Sequence, residues 1–203
     1  TALDFKLSVG AAGGSANFDT LGTLGWTSFG DGSAESPVNK QGVEPLIEYV
    51  GSYDKPWIED NNFFEKQYTD GSGSRAFASA IASQKDFSLE LKTTGEKAYY
   101  VLFVGGNQCT AKITVRDRAG NVRTEMFGNI EGRFLRRIVI ECEEGEASTL
   151  YVTYSAHASE TSGTGTPTYL TLLGGYVSSV VPEISEGGES KIQAEIASVK
   201  SPD

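Results

Sequence analysis

The stretch Cys109-Thr110-Ala111-Lys112-Ile113-Thr114-Val115-Arg116 decides the fold. Cys109, Ala111, Ile113 and Val115 share one side and Thr110, Lys112, Thr114 and Arg116 the other, the period of two of a strand with one buried and one wet face. The same period returns in Phe87-Leu89-Leu91, in Ile138-Ile140-Cys142 and in Leu150-Val152-Tyr154. Tyr99–Val104 and Tyr169–Leu173 are apolar on both faces, as expected of central strands whose outer side is covered.

Asp117–Asn121, Glu143–Glu146 and Thr93–Glu96 read as turns, spaced so that successive strands pair as hairpins. The expectation is an all-β, antiparallel β-sandwich of jelly-roll type spanning residues 1–181. Two segments read as long irregular loops where binding would sit, Gly51–Gly73 and the Ser/Thr/Gly-rich Ala156–Thr168. Residues 182–189 read as a linker. Beyond it, Ile192, Ile196 and Val199 fit a helix face while Ile192, Ala194 and Ile196 fit a strand. The segment 182–203 is then a linker followed by an added strand or helix, or by the start of a further module.

A chain of 203 residues with 38% apolar and 22% charged residues can bury a sizeable core. Its apolar runs are too short to span a bilayer as helices, and no membrane insertion is expected. Without an initiator Met or a leader it reads as a mature form or an excised fragment. Acidic residues outnumber basic ones 27 to 17, and only Arg133, Arg136 and Arg137 cluster, so nucleic acid is not an expected partner.

The single histidine, His157, excludes a two-histidine zinc site, and no Gly-x-Ser-x-Gly elbow accompanies it. Gly30–Ser33 and Gly71–Arg75 lack the lysine and helix of a phosphate-binding loop and read as turns. No carboxylate pair stands out at glycosidase spacing. The chain is read as not an enzyme. Cys109 and Cys142 both fall on inward faces and are either a cross-strand disulfide or two inert core thiols.

The segment 54–62 concentrates hard oxygen ligands, so a structural calcium ion on Asp54, Glu59 and Asp60 competes with a solvated acidic loop. No other cofactor is expected. Tyr49, Tyr53 and Trp57 are aromatics with polar neighbours. This pairing suits a pyranose, whose apolar face stacks on a ring while its hydroxyls bond amides and carboxylates. Trp26 reads as core or sheet edge, with ligand contact as the second reading.

The run from Phe18 to Gly30, then Lys40, Ile47-Glu48-Tyr49 and Tyr68-Thr69-Asp70-Gly71, resembles a family of all-β accessory domains of secreted, multi-modular bacterial carbohydrate-active proteins. That family opens approximately L-x-x-x-G-T-x-D-W-x-H-W-G, followed by a lysine, an isoleucine before a tyrosine, and W-x-D-G. The similarity continues through Tyr100–Gly106, Ala111–Asp117, Leu150–Tyr154 and Tyr169–Tyr176, covering about residues 17–178. It implies a galactose-binding-like jelly roll with non-catalytic glycan attachment. Gly25, Ser28, Phe29 and Tyr68 depart from the pattern, while Trp26, Gly30, Lys40, Asp70 and Gly71 keep it.

The expected function is a non-catalytic carbohydrate-binding or accessory module of a secreted or cell-surface bacterial protein, set beside a carbohydrate-active enzyme in its parent. Its partners would be a polysaccharide and neighbouring modules of the same chain. Trp57, Tyr53, Tyr49, Trp26, Lys40 and Asp70 are the candidate ligand-binding residues. The alternative is a structural spacer or protein-interaction module in a multi-domain adhesin or glycan-degrading enzyme.

Overall fold

The strands are β1 (Phe5–Ala11), β2 (Ser15–Asn17), β3 (Gly25–Ser33), β4 (Ser36–Asn39), β5 (Ile47–Gly51), β6 (Trp57–Asp60), β7 (Glu65–Asp70), β8 (Gly73–Phe77), β9 (Ser79–Ser83), β10 (Asp86–Lys92), β11 (Ala98–Arg116), β12 (Val122–Cys142), β13 (Thr149–Ser159) and β14 (Tyr169–Ser178). One helical turn, α1 (Phe18–Leu21), is capped by the Asn17 side chain, which accepts from the Thr20 N–H. The computed structural model describes residues 4–34, 36–60, 64–70, 73–159 and 168–182, with backbone alone at 70, 73–77, 158 and 159.

The fold is all-β, an antiparallel sandwich of jelly-roll type. Eleven strands form one sheet whose main path runs β4-β3-β14-β11-β13-β10-β5. The sheet becomes two layers because β11 and β12 belong to both. The first part of β11, Ala98 to Asn107, pairs with the later part of β12 and with β14; its second part, from Cys109, pairs with the start of β12 and with β13.

The bend falls at Gln108, a bulged residue with φ of 55°, just after Gly105-Gly106. Both glycines lie in close approach, since an added Cβ would meet the Phe134 carbonyl oxygen at 2.3 Å or the Tyr169 carbonyl oxygen at 2.7 Å. This break in the ladder also keeps the inward face inward. Ala98, Tyr100, Leu102 and Val104 point into the core before it and Cys109, Ala111, Ile113 and Val115 after it, a switch from even to odd.

The core between the layers holds these residues with Phe87, Leu89, Leu91, Ile138, Ile140, Leu150, Val152 and Tyr154, as the alternation requires. A second cluster lies on the outer face of the first layer, where Phe18, Trp26, Phe64, Tyr68, Val101, Phe103, Leu173 and Tyr176 meet. The small sheet β2-β7-β8 and α1 contribute to that cover, which is why Tyr99–Val104 and Tyr169–Leu173 are apolar on both sides.

Three expectations change. Gly51–Gly73 is not a loop: it carries β6 and β7, and β8 starts at its end. β6 is an edge strand and β7 the middle strand of the small sheet β2-β7-β8; in both, polar and charged residues alternate with apolar ones and disguise the strand. Thr93–Glu96 and Glu143–Glu146 do not close hairpins, because β10 pairs with β13 and β5, and β12 with β11 and β1. Each connection instead crosses between the layers, a step of about 10 Å that a few residues can span. Asp117–Asn121 does close the β11–β12 hairpin, with the Asp117 carboxylate accepting from the Asn121 N–H at 2.9 Å.

The Ala156–Thr168 segment begins as strand, since β13 runs to Ser159; residues 160–167 lie outside the described residues. So does everything after Pro182, including the linker and the tail. The two cysteines are free thiols. Cys142 is in register with Ala98 and Cys109 with Asn129, so about eleven residues of β11, roughly 36 Å of strand at ~3.3 Å each, separate them, against ~7 Å at most for a disulfide.

Candidate functional site

The main sheet path ends in β4 on one side and β5 on the other, and these two edge strands face each other without a ladder between them. The sheet stays open along that seam. The gap is a half-open cleft of about 310 Å³ lined by Pro37 and Asn39 of β4, Glu44 and Pro45 of the connecting segment, Ile47, Glu48 and Tyr49 of β5, and Lys92 at the end of β10. Proline has no N–H to donate, so Pro37 and Pro45 help to keep this edge from closing by strand pairing.

Beneath the cleft, the buried Thr27 hydroxyl lies 2.7 Å from Asn39 Oδ1 and 3.3 Å from the Ile47 carbonyl, linking the two sides by a side chain. Asn39 accepts through Oδ1 there, which leaves its amide nitrogen as a donor. The half-buried Tyr49 ring is wedged edge-on against Phe29, centroids 5.8 Å apart, and lies 6.4 Å from Phe87. At the rim, Lys92 Nζ is 3.2 Å from Glu48 Oε2, both side chains half exposed. A tyrosine, an amide, two carboxylates and a lysine thus line one space, at the small end of small-molecule sites.

Trp57 and Tyr53 lie elsewhere, beside the β9–β10 connection. Trp57 is in register with Ala82, and its ring meets Tyr169 edge-on at 5.9 Å while Nε1 donates to Glu59 at 3.4 Å. Next to it Glu59, Asp60, Arg133, Phe134 and Tyr169 line a crevice of only about 10 Å³, room for roughly one water. Burial raises the affinity of the Tyr169 phenol for its proton, with Arg133 opposing and Glu59 adding to the shift. Tyr53 is 78% exposed; its backbone N–H donates to Asp86 at 2.8 Å, and Lys85 Nζ sits 4.3 Å over its ring.

The other expected residues are placed as follows. Trp26 is 3% exposed in the outer cluster, its ring 4.4 Å from that of Tyr68, so protein neighbours occupy its faces. Lys40 donates to the Gly22 carbonyl at 3.1 Å, tying the end of β4 to the residue after α1. Asp70 ends β7 and its side chain lies outside the described residues. Asp54 precedes β6, whereas Glu59 and Asp60 are adjacent on it; among the described residues no three His, Cys, Asp or Glu side chains are grouped to hold a metal ion.

Sequence reasoning missed a buried charge centre. Lys66 Nζ donates to Asp31 Oδ1 at 3.0 Å and to the carbonyls of Phe29 at 2.6 Å and Leu173 at 3.0 Å, using all three N–H groups. Asp31 accepts in addition from the hydroxyls of Ser28, Ser79 and Tyr68. Neither charged side chain is exposed. Desolvation pulls the Lys66 ammonium down to about 8, against the opposing pull of Asp31. The site joins β7 of the small sheet to β3, β9 and β14 of the large one. Its signal was the alternation Phe64, Lys66, Tyr68, where a lysine occupies the inward position between two aromatics.

No protein-family model matches the chain, and no curated protein sequence matches it. Among solved structures, the chain is similar to the carbohydrate-binding module TmCBM61 in complex with β-1,4-galactotriose, at 13% identity and a TM-score of 0.37 over 64% of this chain and 86% of that one. It is also similar to the enzymatically active domain of bacteriophage CBA120 tailspike protein 4, at 10% identity and a TM-score of 0.35 over 65% of this chain and 19% of that one.

Proposed function

We propose that this chain is a non-catalytic carbohydrate-binding module of a secreted or cell-surface protein, and that the glycan lies in the seam between β4 and β5. The observation that carries this reading is the 310 Å³ cleft lined by Tyr49 together with Asn39, Glu44, Glu48 and Lys92. A pyranose presents a C–H face to an aromatic ring and hydroxyls to amide, carboxylate and ammonium groups, the set that meets here. Tyr49 is held by Phe29 and Phe87 before any ligand arrives, which lowers the ordering cost of binding. Binding through one ring and a few rim groups would be shallow and weak.

Affinity electrophoresis through gels containing soluble plant, host and microbial polysaccharides tests the reading. Retarded migration is expected for at least one polymer. It is expected to be lost in Glu44→Ala/Glu48→Ala, whose circular dichroism stays native, and kept in Trp57→Ala. Loss in Trp57→Ala alone would move the binding to the β6 edge. Free migration in every gel would reject glycan binding and leave a structural or protein-interaction module.

A further inference from the structure

Resting on that reading, we infer that the seam takes an uncharged glycan and rejects polymers carrying uronate, sialate or sulfate groups. The inference follows from which charges line the cleft and which of them are already engaged. Three charged residues line it: Glu44, Glu48 and Lys92. The only cation among them, Lys92, has its ammonium 3.2 Å from the Glu48 carboxylate, so these two neutralise each other. Glu44 has no cation within ion-pair distance among the described residues, which leaves the cleft with a net negative charge.

Recognition of a carboxylate or sulfate calls for an uncommitted ammonium or, better, a guanidinium fork. No arginine lines this cleft. An anionic sugar entering it would lie within a Debye length, about 10 Å at 0.1 M salt, of Glu44 and would have to break the Lys92–Glu48 pair to find a counter-charge. The chain's formal charge of −10 opposes its approach from farther away. Hydroxyl groups face no such penalty. They donate to Glu44 and Glu48 and accept from Asn39 and Lys92 without disturbing the ion pair, so the groups that repel an anion are the acceptors a neutral sugar needs.

The test runs the intact chain through gels containing neutral polymers (galactan, xyloglucan, mixed-linkage glucan, galactomannan) and anionic ones (polygalacturonate, alginate, dextran sulfate), each at low and high salt. The expected result is retardation by a neutral polymer that changes by less than about twofold between the two salt conditions, with no retardation by the polyanions. Retardation by a polyanion that disappears at high salt would overturn the charge class while leaving glycan binding standing. Free migration in all gels would overturn the glycan reading itself, and this inference with it.

Discussion

Lys66 Nζ lies 3.0 Å from Asp31 Oδ1 with neither side chain exposed to solvent, so the small sheet is pinned to the large one by a charge pair inside the protein. Water cannot relieve either ion there, and the fold supplies the missing solvation group by group. Two carbonyls complete the lysine and three hydroxyls complete the aspartate. Such a centre contributes position more than net stability, because desolvating both ions offsets most of their attraction.

Removing one partner should therefore cost far more than removing both. Lys66→Met or Asp31→Leu is expected to lower the unfolding free energy by about 3–5 kcal/mol, because each strands a buried charge. The double variant is expected to recover most of the loss. Urea unfolding followed by the fluorescence of Trp26, whose ring touches Tyr68 beside the pair, measures all three. Single variants as stable as the wild type would show that the pair is not buried as described.

The pH profile gives a second check. Lys66 binds its proton less tightly in the folded chain, about 8, than the usual 10.5, with desolvation the main cause. Between these values the unfolded chain holds more protons than the folded one, so this residue's contribution to stability rises with pH from about 8 to 10.5. The buried thiols of Cys109 and Cys142 act in the opposite sense: burial pushes both up to about 12, so the unfolded chain loses those protons first and stability falls as pH passes 9. With one lysine acting against two thiols, these groups together should raise the stability of the wild type from about pH 8 to about 9 and lower it above that. Subtracting the profile of Lys66→Met/Asp31→Leu isolates the lysine, and the difference should move in favour of the wild type across that window. A flat difference would count against a desolvated ammonium.

The thiols themselves should be inert. At 0% and 1% exposure, and with burial disfavouring the thiolate, Cys109 and Cys142 are expected to ignore Ellman's reagent in the native chain and to react fully in guanidinium. Adding a reductant should leave the unfolding midpoint unchanged. A midpoint that falls with reductant would reveal the disulfide that the strand register forbids.

Much of the sandwich was legible because alternation is a local property. Cys109 to Val115, Phe87 to Leu91 and Leu150 to Tyr154 all take the faces their spacing assigns. What the sequence hid was relational. Gln108 shifts the inward face of β11 from even to odd positions, and no window on either side of it shows that the two halves are one strand. Short edge strands such as β6, four residues with an exposed isoleucine and two carboxylates, look like loops until a partner is known. The seam was half readable: Tyr49 was picked out as an aromatic, but Asn39, Glu44, Glu48 and Lys92 are ordinary surface residues until strand order brings them together. Lys66 did not stand out because its neighbours Glu65 and Gln67 are polar, although the residues two away are Phe64 and Tyr68.

The register of the strands in the first layer sets where β1 begins relative to where β14 ends. Phe5 stands opposite Cys142, Cys142 opposite Ala98, and the next residue, Tyr99, opposite Ser178. The start of β1 and the finish of β14 therefore emerge at one rim, three ladder spacings or about 14 Å apart. Were the chain spliced between two neighbours, an entry at Phe5 and an exit after Ser178 this close together would make the body project like a pendant and add little to the contour of the string.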